Sequence, residues 1–277
     1  MRDLMANTGN LHLGVDLGGT KLLVAAYDSD RNPRVWRFAT GPEFGPAEIG
    51  NVIALVKRET GHAGAAVIGL AVPGLVDDTG TVLESDVLPR LAGWRPDWAS
   101  AVLNDGEAAL VSVAAGEKPE ATLAAVGCGT GIVAAIQVAG VRLRRFRPFA
   151  GELGVAPCGR EGTFDELASG NALLQRLKLD AEEITARTQR GDEQCRKAIR
   201  AAGEAFGIGL TTLLHLVHPG RIGLYGGTLR YPGYLEAAMT MLNEKAHPIL
   251  LRQCRVEMMR DTDLVVAQGA LREALRR

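Results

Sequence analysis

Val15-Asp16-Leu17-Gly18-Gly19-Thr20-Lys21 links two apolar runs, residues 11–17 and 22–28. The alternation over 11–17, the Gly-Gly turn, the run 22–28 and a third run over 34–38 predict an antiparallel meander. The turn also carries chemistry. Glycines let backbone N–H groups approach phosphate oxygens with no Cβ in the way, and a nest of such groups binds anions. Thr20 and Lys21 add a hydroxyl and a positive charge. Asp16, at the strand end, is positioned to hold Mg2+ directly or through water. Taken alone, the same residues read equally as a hairpin turn with an exposed lysine.

The pattern restarts further on. Residues 121–126 predict a strand, Gly127-Cys128-Gly129-Thr130-Gly131 a turn, 132–138 a second strand and 141–146 a short third. A hairpin with a glycine turn followed by another strand thus occurs twice, and this suggests a duplicated domain with a cleft between the halves. Gly129, Thr130 and Gly131 sit where a hairpin turn can close on a phosphate. Two familiar nucleotide motifs are excluded. There is no G-x-x-x-x-G-K-[ST]. A dinucleotide fingerprint must open a helix, whereas Ile132-Val133-Ala134-Ala135-Ile136 continues as strand. A third turn, Tyr225-Gly226-Gly227-Thr228, follows the apolar run 221–225 and precedes a helix. Gly226 and Gly227 allow a flat base or a phosphate to come close, although such turns also serve as plain connections.

Two acidic motifs lie between the outer turns. Asn104-Asp105-Gly106-Glu107 follows the apolar stretch 99–103 and precedes a helix over 106–116. Phosphoryl transfer to an alcohol needs a base for the hydroxyl proton, and Asp105 is the candidate. The competing reading is an ordinary Asn/Asp helix cap. In Ala150-Gly151-Glu152-Leu153-Gly154, Glu152 stands between two glycines and is poorly explained as structure. It is a candidate to hydrogen-bond sugar hydroxyls, since carboxylates are strong acceptors.

The 277 residues fit two modest domains, and a hydrophobic content of 47% supports a substantial core. A formal net charge of −1 argues against nucleic acid as the main partner. The basic run Arg142-Leu143-Arg144-Arg145-Phe146-Arg147 reads as a solvated strand or turn. No apolar run approaches the roughly 20 residues of a membrane span, and Met1–Asn10 is short and polar, so a cytoplasmic protein is expected. Cys128, Cys158, Cys195 and Cys254 are scattered and read as reduced thiols. Apart from the strands, helices are expected over 46–60, 164–178, 181–190, 194–217, 232–246 and 262–276. A continuous strand is expected over 65–72.

The ordered set of D-L-G-G-T-K, N-D, G-E-L-G and the later glycine turns resembles the ROK family of bacterial sugar kinases, over about residues 11 to 275. The resemblance implies an α/β architecture: a duplicated actin-like, ribonuclease H-like fold with two lobes around a central cleft. It divides the chain into 1–112, 113–261 and a last helix, 262–277, returning to the first lobe. It implies ATP and Mg2+, with Asp16, Gly18, Gly19, Thr20 and Lys21 at the phosphates and metal. Gly129, Thr130, Gly131, Gly226 and Gly227 join them on the nucleotide. Asn104, Glu152 and Asp165 are implied as sugar ligands and Asp105 as base. The implied reaction is phosphorylation of a hexose at its 6-hydroxyl, as in a glucokinase. A kinase for an N-acetylated amino sugar or other polyol, and a non-catalytic sugar-binding regulator, stay open. Only ten residues precede the first strand, so no DNA-binding domain is expected there. A homodimer is suggested by family habit alone.

The chain departs from the family on the sugar side. Val155 stands where the family has the His of G-E-x-G-H, which links sugar and zinc. Cys158-Gly159-Arg160-Glu161-Gly162-Thr163-Phe164-Asp165 resembles a shortened form of the family's zinc segment with one cysteine left. A structural zinc site wants four ligands, so no zinc is expected. Asp165 takes the position of a sugar-binding Glu, with Glu166 beside it as a substitute. Leu103 and Glu107 replace the usual flanks of N-D, and Arg90 stands where an Asn often contacts sugar.

Overall fold

The computed structural model describes residues 11–27, 33–62, 64–143 and 150–277. The chain divides into two compact units, Met1–Ala115 with Leu264–Arg277, and Gly116–Asp263.

In the first unit, β1 (Leu11–Leu17), β2 (Lys21–Tyr27) and β3 (Arg34–Ala39) form the expected meander. β4 (Ala66–Val72) joins β1 in parallel, and β7 (Ala101–Asn104) joins β4 in parallel, for an order β3-β2-β1-β4-β7. A two-stranded ribbon, β5 (Leu75–Val76) with β6 (Val82–Glu84), follows β4. Successive strand residues face opposite sides. Leu11, Leu13, Val15 and Leu17 therefore meet Ile49, Val52, Ile53 and Val56 of α1 (Pro46–Glu59) in one core. On the other face Leu23, Ala25 and Tyr27 meet Ala267 and Leu271 of the last helix.

The second unit repeats the plan. β8 (Leu123–Cys128), β9 (Ile132–Val138) and β10 (Val141–Arg142) form the meander. β11 (Arg221–Tyr225) and β12 (Arg255–Met258) extend it in parallel, for an order β10-β9-β8-β11-β12. The two sheets share one topology, the duplicated actin-like, ribonuclease H-like α/β fold that the resemblance implied. The rest of the third expected strand, and of the basic run, falls on residues 144–149, outside the described residues.

The remaining helices are α2 (Asp105–Val113), α3 (Phe164–Ala168), α4 (Gly170–Leu177), α5 (Ala181–Gln189), α6 (Glu193–Val217), α7 (Tyr234–Lys245), α8 (Pro248–Gln253) and α9 (Val265–Ala274). The single helix expected over 164–178 is two. Ser169 leaves the helical conformation and its side chain caps a new start by accepting the Ala172 N–H at 3.1 Å. The helix expected over 232–246 starts at Tyr234, because Gly233 enters with φ +88°. α6 ends at His218, left-handed and followed by Pro219. β12 and α8 fill a stretch with no sequence expectation. No helix is long and apolar enough to cross a membrane, among the described residues.

Candidate functional site

Each unit brings its own set of the expected residues together at the carboxyl end of its parallel strands. In the first unit β1 delivers Asp16 and the glycine turn. Gly18 N–H donates to Lys21 O at 2.8 Å and closes the hairpin. Thr40, which the sequence reading missed, holds the turn from outside. Its hydroxyl donates to Gly18 O at 2.7 Å and its N–H to Thr20 O at 3.0 Å. Neither Gly18 nor Gly19 has a left-handed φ, so turn geometry alone does not call for glycine. Gly19 lies against the Val87 side chain instead. Thr20 and Lys21 are exposed.

Two strands over, β7 delivers Asn104 and Asp105. Asp16 and Leu103 both align with Ala71 of β4, so the backbones of Asp16 and Leu103 are about 10 Å apart from strand spacing alone, and Asp105 follows two residues further on at the same sheet end. Both side chains are half-buried. The cap reading and the active-site reading of Asn104-Asp105 turn out to be compatible. Asn104 is the N-cap of α2: its side-chain oxygen accepts the N–H of Gly106 at 2.9 Å and of Glu107 at 3.4 Å. Its amide donates to Gly74 O at 2.9 Å. Asp105 is the first helical residue, and its carboxylate accepts the Gly106 N–H at 2.8 Å. It thus stands at the positive end of the helix dipole, which favours a negative charge there. Arg90 is paired with Glu43 through an ion pair and donates to Glu43 O at 3.0 Å.

Among the described residues, no group of three or more His, Cys, Asp and Glu can hold a metal. Mg2+ does not need one. It keeps several waters and takes one or two carboxylates plus substrate phosphates. A half-buried Asp16 two residues before the Gly18–Gly19 turn fits that donor set.

In the second unit the two glycine turns are knitted to each other. Gly129 O accepts both the Thr228 hydroxyl at 2.9 Å and the Gly170 N–H at 2.8 Å, and Asn171 N–H donates to Thr130 O at 3.2 Å. The first two N–H groups of α4 are thereby taken by the hairpin. The sequence reads Thr228 only as the end of the third turn and does not single out Gly170 and Asn171; Ser169, a capping residue, is the signal that a helix start lies there. Gly226 has φ +113°, and a Cβ on it would overlap Cys128 O. At Gly129 and Gly227 a Cβ would meet open space. Under the turn, Cys128 is fully buried and contacts the Tyr234 hydroxyl at 3.2 Å; burial pushes its thiol up to about 12.

Glu152, half-buried, sits in a segment that runs beside β9. Ala134 N–H donates to Gly151 O at 2.8 Å and Gly154 N–H to Ile132 O at 3.1 Å. Asp165, the second residue of α3, points back at this segment and accepts the Ile132 N–H at 2.6 Å. Burial raises its pKa most; the charges of Glu152 and Glu166 raise it further, against the Ile132 N–H, which lowers it. Glu166 is occupied as a cap. Its carboxylate accepts the Thr163 N–H at 2.8 Å while Thr163 Oγ1 accepts the Glu166 N–H at 3.3 Å. Val155 is 64% exposed, and Cys158 is buried in the core of the second unit, the same cluster that holds Phe164.

The profile of the ROK family matches residues 101–275. Kanosamine kinase of Amycolatopsis mediterranei is 28% identical over 244 residues, covering 78% of this chain and 80% of that one. The xylose repressor of Caldicellulosiruptor bescii is 26% identical over 246 residues, covering 74% of this chain and 61% of the repressor. The crystal structure of the ROK hexokinase from Thermus thermophilus superimposes with a TM-score of 0.69 at 26% identity, covering 94% of this chain and 96% of the other. With a match over well more than half its length and a shared fold, the chain belongs to the ROK family.

Proposed function

We propose that this ROK protein is a sugar kinase that transfers the γ-phosphoryl group of ATP to a sugar hydroxyl, in the first instance the 6-hydroxyl of a hexose. The observation that carries the reading is Asp105. Its carboxylate sits at a helix start, locked by the Asn104 cap, on the same sheet end as Asp16 and the Gly18–Gly19 turn. A base fixed that close to a phosphate-binding turn suits proton removal from an alcohol under attack on phosphorus.

In the proposed reaction the sugar oxygen forms a bond to the γ-phosphorus, and the bond from that phosphorus to the β–γ bridging oxygen breaks. ADP leaves with the electron pair, and the hydroxyl proton passes to the Asp105 carboxylate. With the Gly18 N–H taken by the hairpin, the backbone N–H groups of Gly19 and Thr20 bind phosphate oxygens, and Lys21 adds positive charge. Gly129, Thr130, Gly131, Gly226 and Gly227 bind the nucleotide; the open space over Gly129 and Gly227 supports that role. Glu152 binds sugar hydroxyls, while Asn104, its amide taken by Gly74 O and by the start of α2, holds the base rather than the sugar. Mg2+, held by Asp16, would neutralise charge on the transferring group. A kinase for an N-acetylated amino sugar or other polyol uses the same base and differs only at the sugar contacts.

The test is ADP release from Mg-ATP across hexoses, amino sugars and polyols, with a no-sugar blank and Asp105→Ala. Turnover with one sugar that drops by about 10²–10⁴ in the variant, while both ligands still bind, is the expected result. The similarity to a repressor keeps a non-catalytic sugar-binding protein as the second reading. Sugar binding without ADP release from any acceptor would favour it.

A further inference from the structure

Ile132, Gly154 and Asp165 close a ring of three hydrogen bonds. Ile132 N–H donates to Asp165 Oδ1 at 2.6 Å, Asp165 N–H donates to Gly154 O at 2.8 Å, and Gly154 N–H donates to Ile132 O at 3.1 Å. The ring joins three segments remote in sequence. Ile132 is the first residue after the Gly129–Gly131 turn, Gly154 ends the loop that carries Glu152, and Asp165 lies in the first turn of α3. Both glycines beside the carboxylate leave it space. A Cβ on Gly131 would stand 3.4 Å from Oδ1, and one on Gly154 would overlap that oxygen and Ile132 O.

We propose that Asp165 is a positioning residue that fixes the Glu152 loop to the Gly129–Gly131 turn, and is not a sugar ligand. The proposal rests on the kinase reading and deepens it: one carboxylate sets the sugar loop and the nucleotide turn relative to each other within the second unit. The carboxylate is aimed inward at a backbone donor. The ring needs an acceptor oxygen at that point; the Ile132 N–H favours a charged one, but burial, the largest effect, and the neighbouring Glu152 and Glu166 charges disfavour it. The space also sets the length. A side chain one methylene longer must displace Gly154 or withdraw from Ile132.

Two substitutions separate the roles because they rank in opposite order. Asp165→Asn keeps the acceptor oxygen and the length but loses the charge. Asp165→Glu keeps the charge and loses the length. A positioning role predicts that Asp165→Glu is the worse of the two, raising KM for both ATP and sugar and lowering kcat/KM by about a hundred-fold, the scale of a 1 Å misplacement. A sugar-ligating carboxylate predicts the reverse: Asp165→Asn is worse, and only the KM for sugar moves. Hydrogen exchange over residues 127–138 gives a second readout, without turnover. Exchange at Ile132 should speed up in Asp165→Glu and stay slow in Asp165→Asn. Unchanged exchange in both, or a defect confined to sugar KM, overturns the proposal. If the wild-type protein phosphorylates nothing, the kinase reading fails, and the exchange experiment still decides the ring.

Discussion

The side-chain amide of Asn104 donates to the carbonyl oxygen of Gly74 at 2.9 Å, while its carbonyl oxygen caps the helix that begins at Asp105. Both ends of one buried amide are therefore committed to holding the candidate base. Gly74 is itself constrained, with φ +149° and Glu84 O and Ser85 packed where a Cβ would stand. The position of Asp105 thus depends on the turn after β4 as well as on its own strand.

Asn104→Asp tests this directly. An aspartate still caps the helix, but an oxygen replaces the donor and faces Gly74 O. Losing a buried partner costs about 1–3 kcal/mol. Denaturant unfolding should show a loss of that size, and kcat should fall while sugar remains bound. A variant with wild-type stability and kcat would show that the Gly74 contact does not hold the base.

The adjacent glycines of the third turn should behave as opposites. Gly226 has a positive φ and no space for a Cβ, whereas Gly227 has neither restriction. Gly226→Ala should destabilise by at least the 1–3 kcal/mol of an overpacked core site. Gly227→Ala should change stability by no more than about 0.5 kcal/mol and instead raise the KM for ATP. Thermal melts with ATP titrations check both. If Gly227→Ala leaves ATP binding untouched, nucleotide does not approach that turn.

The last helix is seated by a matched pair. Gly14 and Gly69 are register partners in β1 and β4, and a Cβ on either would overlap a carbonyl of α9, Ala267 O or Ala270 O. The obstruction is backbone and cannot rotate away. Gly69→Ala should therefore fall at or beyond the upper end of about 1–3 kcal/mol, seen as a lowered Tm. A melt within a degree of wild type would mean that α9 is loosely held.

What the sequence disclosed follows from how local each signal is. β1, β2, β4, β8 and β9 are six or seven residues long and largely apolar, so they are readable one at a time. β12 is an edge strand with no fully buried residue and α8 buries none, so neither leaves an apolar period to find. At the site, Asp16, Asp105 and Glu152 announced themselves by standing beside glycine or a strand end. The Thr40, Thr228 and Gly170 contacts join residues 22, 99 and 41 positions from their partners. Spacings of that kind carry no local pattern. The Ile132–Gly154–Asp165 ring is of the same type: its residues were legible as motif members, but their relation required the fold.

The ring also makes a pH prediction with a definite sign. Burial raises the Asp165 pKa in the folded protein, and the charges of Glu152 and Glu166 add to this; the buried Cys128 thiol, raised to about 12, is neutral in this range. The folded state then binds its proton more tightly than the unfolded chain, whose Asp titrates near about 3.9. Stability from this group is fully present below that unfolded value and is lost as pH rises through the folded pKa. Asparagine carries no such proton. Melting wild type and Asp165→Asn in parallel from about pH 4 to 7 cancels most other carboxylates in the difference. The variant's Tm should gain on the wild type as pH rises, then level off once the folded Asp165 has ionised. A difference that is flat, or that shrinks with rising pH, would mean that the charge at Asp165 is stabilised where it stands, and would count against an inward-facing acceptor whose charge is a burden.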